Sequence, residues 1–291
     1  SLVVLCCAEA SAQTPQPLYP DGKFDGDNGL DSSVTADRDG VRFGVAVPDY
    51  FLFRPAPDKA NGQCVVVLPG GGYGCVCYQR EGIDVARWLN ENGITAVVLR
   101  YRMPNGHSEI PLTDVRRMFR TVRENAAEWG IDPCQVGVMG FSAGGHLAAS
   151  ALTLFEFSYA RPDFGILIYP VITMQDGFSH GGSRDNLMGK DPSEDRCRHG
   201  TYSRHFSVFH RAEQRRRSGS DAQQYDVLRF AVLERRSRRT ARLSHRSSRL
   251  DRRLRLLGRV PCVAVPLAKA IAKESRGGRY RLSETFSVAE N

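Results

Sequence analysis

The sequence predicts an α/β fold in which a mostly parallel sheet is covered by helices on both faces. Short apolar runs alternate with segments of helical periodicity, as in chains built from successive strand–helix units. The apolar runs lie at residues 65–68, 95–99, 136–139 and 164–169, and the helical segments at residues 81–92, 112–129 and 145–155. Nearly every position of these runs is apolar, which is typical of parallel strands that are buried on both faces. Upstream, the alternation at residues 41–53 predicts an antiparallel hairpin at the edge of the sheet.

Glycines mark the ends of the first two helical segments. The segment at residues 81–92 stops before Gly93, and the long segment at residues 112–129 stops before Gly130. Glycine commonly follows a helix because it adopts the left-handed backbone conformation that ends the last turn. Glu81 and Asp84 open the first segment, where carboxylates favour the positive end of the helix dipole.

A strand–turn–helix pattern around Ser142 carries the main chemical signal. Residues 140–144 read Gly-Phe-Ser-Ala-Gly between an apolar strand and a helix-forming run. This context separates a nucleophile elbow from a chance Gly-x-Ser-x-Gly match. The glycines remove side chains that would block close packing, and the sharp turn lifts the serine hydroxyl above the sheet. The pattern therefore predicts Ser142 as a nucleophile, with the N–H of Ala143 at the helix N-terminus available to a developing oxyanion.

A glycine-rich loop follows the strand at residues 65–68. Residues 69–74 read Pro-Gly-Gly-Gly-Tyr-Gly. A loop of this kind supplies the second oxyanion donor because its backbone must approach the substrate carbonyl oxygen closely. Gly71 and Gly72 are the candidate donors, and Tyr73 beside them is a candidate for lining an acyl pocket.

Seven segments together identify a family. They are LYPDG at 18–22, PGGGY at 69–73, EGIDVA at 81–86, WGIDP at 129–133, GFSAGGHL at 140–147, YPVITM at 169–174 and GSRDNLMG at 182–189. On these segments the chain resembles, from about residue 17 to 195, the secreted bacterial α/β-hydrolases related to acetyl xylan esterases and feruloyl esterases. The resemblance implies an α/β-hydrolase fold and hydrolysis of acetyl or feruloyl esters of plant polysaccharide. It implies an acyl-enzyme mechanism with Ser142 as nucleophile, without a metal or organic cofactor. A peptidase of the same fold is an alternative.

The resemblance stops near Asp195. The family continues with a strand ending in an Asp-Asp-x-x-Val-Pro turn and then a Gly-Gly-His-Gly loop with the catalytic histidine, and neither occurs in residues 196–291. The composition changes at the same point. Residues 196–291 hold 22 Arg and 2 Lys against 8 acidic residues, a net charge of +16, whereas residues 1–195 have a net charge of −8.

Three hypotheses account for this arginine-rich segment. The first is a nucleic-acid-binding arm, because arginine clusters contact phosphates. The second is an additional solvated or disordered segment. The third is the product of a reading-frame shift near Asp195. We favour the frame shift. The segment begins where the missing parts should start, has about their length, and has the excess of Arg over Lys that is typical of GC-rich DNA read out of frame. We therefore expect no nucleic-acid partner and an incomplete hydrolase domain at residues 13–195.

The sequence leaves the catalytic acid and base unassigned. In α/β-hydrolases the order along the chain is serine, acid, histidine. Among the histidines of residues 196–291, only His245 follows acidic residues, Asp221 and Asp226, and none of these three residues has the context of a strand end. His146 lies one helical turn after Ser142 and is expected to pack beneath the elbow. A catalytically inactive hydrolase is therefore an alternative function.

The N-terminal residues predict export. Residues 1–12 combine an apolar stretch with Ala-Ser-Ala before Gln13, which resembles the end of a signal peptide and predicts a secreted or periplasmic protein; a buried or frayed terminal strand is the alternative. No apolar run of 18 residues occurs elsewhere, so no membrane span is expected. The eight cysteines include no Cys-x-x-Cys pair, and no zinc site is expected. The oligomeric state is not determined by the sequence.

Overall fold

The computed structural model describes residues 14–154, 158–171, 173–174, 179–190, 230–234 and 287–290. Within these ranges the strands are β1 Gln16–Pro17, β2 Ala36–Arg38, β3 Val41–Phe43, β4 Asp49–Phe53, β5 Cys64–Leu68, β6 Cys75–Val76, β7 Thr95–Arg100, β8 Val136–Phe141, β9 Phe164–Ile168, β10 Phe230–Glu234 and β11 Ser287–Glu290. The α-helices are α1 Asp84–Glu91, α2 Glu109–Glu124, α3 Ala126–Trp129, α4 Ser142–Thr153 and α5 Gly181–Met188. The predicted signal-peptide remnant at residues 1–12 lies outside these ranges, as does most of the arginine-rich segment.

The main sheet has the strand order β1-β4-β7-β5-β8-β9-β10-β11. Strand β5 lies at its centre and pairs in parallel with both β7 and β8, and β8 pairs in parallel with β9. Every residue of β5, β7, β8 and β9 is buried, as expected for strands covered on both faces. The predicted α/β-hydrolase fold with a mainly parallel sheet is therefore confirmed.

The prediction of a hairpin at residues 41–53 is wrong. Strand β3 pairs with β2 and β6 in a separate three-stranded sheet, whereas β4 pairs antiparallel with β7 at the edge of the main sheet. The chain turns between them at Gly44, which has a φ of 55° and backs onto the carbonyl of Val34. That turn directs the chain out of the small sheet, so the two apolar segments find different partners.

Two strands from residues 196–291 extend the sheet beyond β9. Strand β10 pairs antiparallel with β9, and β11 pairs in parallel with β10. The sheet edge where the family's C-terminal strands were predicted to be missing or replaced is thus formed by the arginine-rich segment. The direction of β10 differs from that of the parallel strands between residues 64 and 168.

The helices match the predicted order, with shifted bounds. The segment predicted as one helix at residues 112–129 begins earlier, at Glu109, and is interrupted at Asn125, so that α2 and α3 are separate. Pro111 fits in the first turn of α2 because its missing N–H has no partner there in any helix. Helix α4 begins at Ser142 itself, three residues before the predicted start. A π-helical turn, Gln79–Ile83, leads into α1.

A buried ion pair joins the turn after β7 to α2. Nη2 of Arg102 lies 2.6 Å from Oδ1 of Asp114, and the two side chains are 1% and 0% exposed. The Asp114 carboxylate also accepts bonds from the backbone N–H of Arg102 and the hydroxyl of Tyr19. The guanidinium donates further to the carbonyls of Asp25 and Gly26. These bonds satisfy both charges and attach the N-terminal segment to the core.

We predict that Asp114→Asn lowers the free energy of unfolding by about 3–5 kcal/mol, because it leaves the Arg102 charge buried without its counterion. Urea denaturation measures this. The control is Asp84→Asn, whose carboxylate lies 3.6 Å from Arg87 with both side chains more than half exposed, and which should cost less than about 1 kcal/mol. Equal losses in the two variants would contradict the stabilising role assigned to the buried pair.

Candidate active site

Ser142 occupies a strained position at the junction of β8 and α4. Its φ is 50°, a left-handed value that is uncommon for residues other than glycine. It is the first residue of α4 and directly follows Phe141, the last residue of β8. The strand–turn–helix arrangement is therefore as sharp as the sequence predicts.

Close backbone contacts explain the two glycines that flank this serine. A Cβ atom on Gly140 would collide with the carbonyl of Gly144. A Cβ atom on Gly144 would collide with the carbonyl of Leu68 and lie 2.5 Å from that of Pro69. Both spacings lie below the contact distance of real side chains, so only glycine fits at either position.

The glycine-rich loop at residues 69–74 lies directly against the elbow. A Cβ atom on Gly70 would be 3.0 Å from Cβ of Ser142 and 2.8 Å from the carbonyl oxygen of Phe141. The next three residues, Gly71, Gly72 and Tyr73, have φ values of 134°, 62° and 60°. The loop is thus tightly coiled, and its backbone approaches the serine as an oxyanion loop requires.

Glu81 holds this loop, a role that the sequence did not reveal. Its Oε2 accepts a hydrogen bond of 2.6 Å from the N–H of Gly70, and its Oε1 accepts one of 2.7 Å from the hydroxyl of Tyr169. The Tyr169 ring packs against Phe141, next to the serine. The sequence alone predicts only that Glu81 lies at the start of a helix, and its place in the EGIDVA segment is the one sign of a further role.

Two further side chains hold the loop from other elements. The hydroxyl of Tyr101, which follows β7, donates a bond of 2.8 Å to the carbonyl of Pro69. Burial raises the pKa of Tyr101, so this hydroxyl keeps its proton well into the alkaline range. The side-chain amide of Asn186 in α5 donates a bond of 2.9 Å to the carbonyl of Gly72. The GSRDNLMG segment therefore supports the loop through Asn186.

The candidate oxyanion donors are the amides of Gly71, Gly72 and Ala143. The N–H of Gly70 is already engaged by Glu81. Among the described residues, the N–H groups of Gly71 and Gly72 have no acceptor. Ala143 lies in the first turn of α4, where N–H groups have no acceptor within the helix. The structure thus places Gly70 against Ser142, with Gly71 and Gly72 following it in the same loop and Ala143 directly following the serine.

Tyr73 and His146 are bonded to each other beneath the elbow. The Tyr73 hydroxyl lies 2.7 Å from Nδ1 of His146, and the two residues are 1% and 3% exposed. The His146 ring is bonded to Tyr73 and not to Ser142, in agreement with the packing position expected for it. The proposed contribution of Tyr73 to an acyl pocket stays a prediction, since its side chain points into the interior.

The other described histidines also have partners other than Ser142. His180 caps α5 by accepting a bond from the N–H of Ser183, and His107 lies 3.9 Å from the Glu109 carboxylate on the surface. The histidines of the arginine-rich segment, His245 among them, lie outside the described residues. Within the described part of the chain, no histidine ring is hydrogen-bonded to Ser142.

The described residues also bear on metal binding, membrane insertion and disulfides. In these residues no group of three His, Cys, Asp or Glu side chains is arranged to hold a metal ion. No helix in the same residues is both long and apolar enough to cross a membrane. The four described cysteines, Cys64, Cys75, Cys77 and Cys134, are free thiols.

Comparisons with known proteins assign the family. The BD-FAE family model matches residues 51–157, which include both the glycine-rich loop and the elbow. The crystal structure of an acetyl ester-xyloside bifunctional hydrolase from Caldicellulosiruptor lactoaceticus is 33% identical with a TM-score of 0.53, and the match covers 65% of this chain and 68% of that one. The chain belongs to the acetylxylan esterase-like α/β-hydrolases.

Two curated relatives are much longer than this chain. The chain is 43% identical over 152 residues to an acetylxylan esterase of Xylanibacter ruminicola, and the match covers 52% of this chain and 32% of the relative. It is 35% identical over 163 residues to endo-1,4-beta-xylanase B of Butyrivibrio fibrisolvens, covering 51% of this chain and 25% of the relative. The hydrolase chain thus matches a third or less of the length of these relatives.

We predict that Gly144→Ala lowers the free energy of unfolding by about 3 kcal/mol or more, because the new methyl group meets two backbone carbonyls that cannot move aside. Thermal and urea unfolding measure this. The matched control is Gly181→Ala at the start of α5, where a Cβ would have no neighbour within 4 Å. It should be neutral or stabilising by up to about 1 kcal/mol. A Gly144→Ala protein as stable as the control would contradict the tight packing of loop and elbow.

Proposed function

We propose that this hydrolase cleaves carboxylic esters through an acyl-enzyme intermediate with Ser142 as the nucleophile. The observation that carries the proposal is the strained elbow of Ser142 in contact with Gly70, beside the N–H groups of Gly71, Gly72 and Ala143. A serine held this way can attack a carbonyl carbon while the adjacent amides bind the oxyanion that forms.

The reaction follows from this arrangement. Oγ of Ser142 bonds to the carbonyl carbon and its proton passes to a base; the carbonyl oxygen becomes an oxyanion held by the three amides. The tetrahedral intermediate then expels the alcohol, which takes up the proton, and leaves an acyl group on Ser142. Water attacks this acyl-enzyme in the same way and releases the acid and free serine. The proposal requires a base from outside the described residues.

Acetyl or feruloyl groups on plant polysaccharide are the proposed substrates. Two of the relatives support this class, since one is named as an acetylxylan esterase and another as an acetyl ester-xyloside hydrolase. We also propose export of the protein, on the basis of residues 1–12, and no nucleic-acid partner.

An inactive hydrolase is the second candidate function. The specific observation in its favour concerns the three described histidines, His107, His146 and His180. Their rings have other partners, and among the described residues none of these rings is hydrogen-bonded to Ser142. A serine hydroxyl without a base is a poor nucleophile. The same assay separates the two candidates.

We predict that the full chain releases acetate from acetylated xylan and that Ser142→Ala lowers kcat/KM by a factor of at least about 10³. Acetate release and hydrolysis of p-nitrophenyl acetate and methyl ferulate measure this. The control is Thr153→Ala in the last turn of the same helix, where the hydroxyl only bonds the carbonyl of Ala149. Absence of turnover on all three esters would favour the inactive hydrolase, and an active Ser142→Ala protein would overturn the role of Ser142.

We further predict that Glu81→Gln lowers kcat about tenfold with little change in KM, because the loop amides act mainly on the transition state. The variant keeps the size of the side chain but weakens the charged acceptor that holds Gly70. Steady-state kinetics measures this, with Glu91→Gln at the exposed end of α1 as the matched control. A lower melting temperature with unchanged kcat would show that Glu81 is only structural.

A further inference from the structure

A cavity lies beside the glycine-rich loop at residues 69–74. Its volume is about 360 Å³, and one wall is formed by Tyr73 and Gly74 of the loop. The opposite walls come from the turn after β7 and from the end of α5 with the residues that follow it. The carboxyl ends of β5, β7 and β8 meet at one edge of the sheet, so the cavity and Ser142 share that edge.

Hydrogen bonds hold these walls together. Asn186 bonds through its side chain to the carbonyl of Gly72 and through its own carbonyl to the N–H of Gly106, at 2.9 and 3.2 Å. The Asn105 side chain donates a bond of 2.9 Å to the carbonyl of Asn28. The cavity is therefore preformed, and a ligand would not have to order it on binding.

The lining combines donors, acceptors and apolar surface. The polar side chains are two amides, one carboxylate and one ammonium group, and the apolar ones are an aliphatic and a thioether side chain: Asn105, Asn186, Asp185, Lys190, Leu30 and Met103. The carboxylate and the ammonium group give the cavity no net charge. A sugar ring matches this lining, because each hydroxyl can both donate and accept while the C–H groups contact apolar surface.

Other ligand classes match it less well. An anionic ligand would face the Asp185 carboxylate, which is half exposed and lies 3.4 Å from the guanidinium of Arg184. A long acyl chain would cover these exposed polar side chains without offering them hydrogen bonds, which costs binding energy. A neutral oligosaccharide offers them both donors and acceptors.

We propose that this cavity is a subsite for an unesterified sugar residue of the polysaccharide, next to the sugar that carries the ester. The subsite rests on the proposed function for its place in the reaction, since it lies against the loop that would hold the ester carbonyl. Its affinity for sugar does not depend on turnover, so the two proposals can be tested separately.

The test uses the full chain carrying Ser142→Ala and measures binding of xylotetraose, which has no ester, by isothermal titration calorimetry. Saturable binding is expected. Adding Asp185→Ala and Lys190→Ala removes two exposed polar groups of the lining and should weaken Kd at least about tenfold. The matched control adds Asp58→Ala and Lys59→Ala, an exposed acid and base in the turn before β5 that do not line the cavity. The control should bind like the Ser142→Ala protein.

Thermal unfolding of each variant verifies that it is folded. Absence of xylotetraose binding to the Ser142→Ala protein would overturn the subsite, and so would equal affinities of the lining variant and the control. Ester turnover by the unmodified chain without xylotetraose binding would refute the subsite alone. Xylotetraose binding that the lining variant weakens, in a chain that hydrolyses no ester, would refute the proposed function alone.

Discussion

The backbone contact between the glycine-rich loop and the elbow is the constraint on which the rest of the site depends. Strands β5 and β8 are adjacent and parallel, and Leu68 pairs with Gly140, so the two strands end at the same level. The segments that leave them therefore start side by side. They can lie side by side only because Gly144 has no side chain to meet the carbonyls of Leu68 and Pro69, and the turn into α4 can close only because Gly140 has none. Ser142 lies between these two glycines and has a left-handed backbone conformation, with a φ of 50°.

Side chains from three different elements hold the glycine-rich loop in this position. Its backbone has three successive residues with left-handed φ values, a conformation that it would not keep alone. Glu81, Tyr101 and Asn186 each engage one of its peptide groups from a different element. All three bind groups other than the N–H of Gly71 and Gly72. The support therefore fixes the loop and leaves these two N–H groups without an acceptor among the described residues, as the proposed reaction requires.

Local patterns in the sequence predicted the parts of the fold and site that depend on neighbouring residues. The glycine spacing around Ser142 specifies the elbow because Gly140 and Gly144 are close along the chain as well as in space. Asn186 could not be found in this way, because 114 residues separate it from Gly72. The prediction of a hairpin at residues 41–53 is wrong for a related reason. Alternation indicates a strand but not its partner, and β4 pairs with β7, whose residues lie about fifty positions further along.

The direction of β10 bears on where a base for Ser142 could come from. Strand β9 runs towards the edge of the sheet that holds the elbow, and β10 is antiparallel to it, with Phe230 opposite Ile168. The chain therefore leaves β10 at Glu234 on the opposite edge, and β11 runs the same way. The family's catalytic acid and histidine follow strands that end beside the serine. Here β10 and β11 begin at that edge, with Phe230 and Ser287, and end at the opposite edge, with Glu234 and Glu290. The end of either strand therefore does not bring an acid or a histidine to Ser142, which is how the family supplies them.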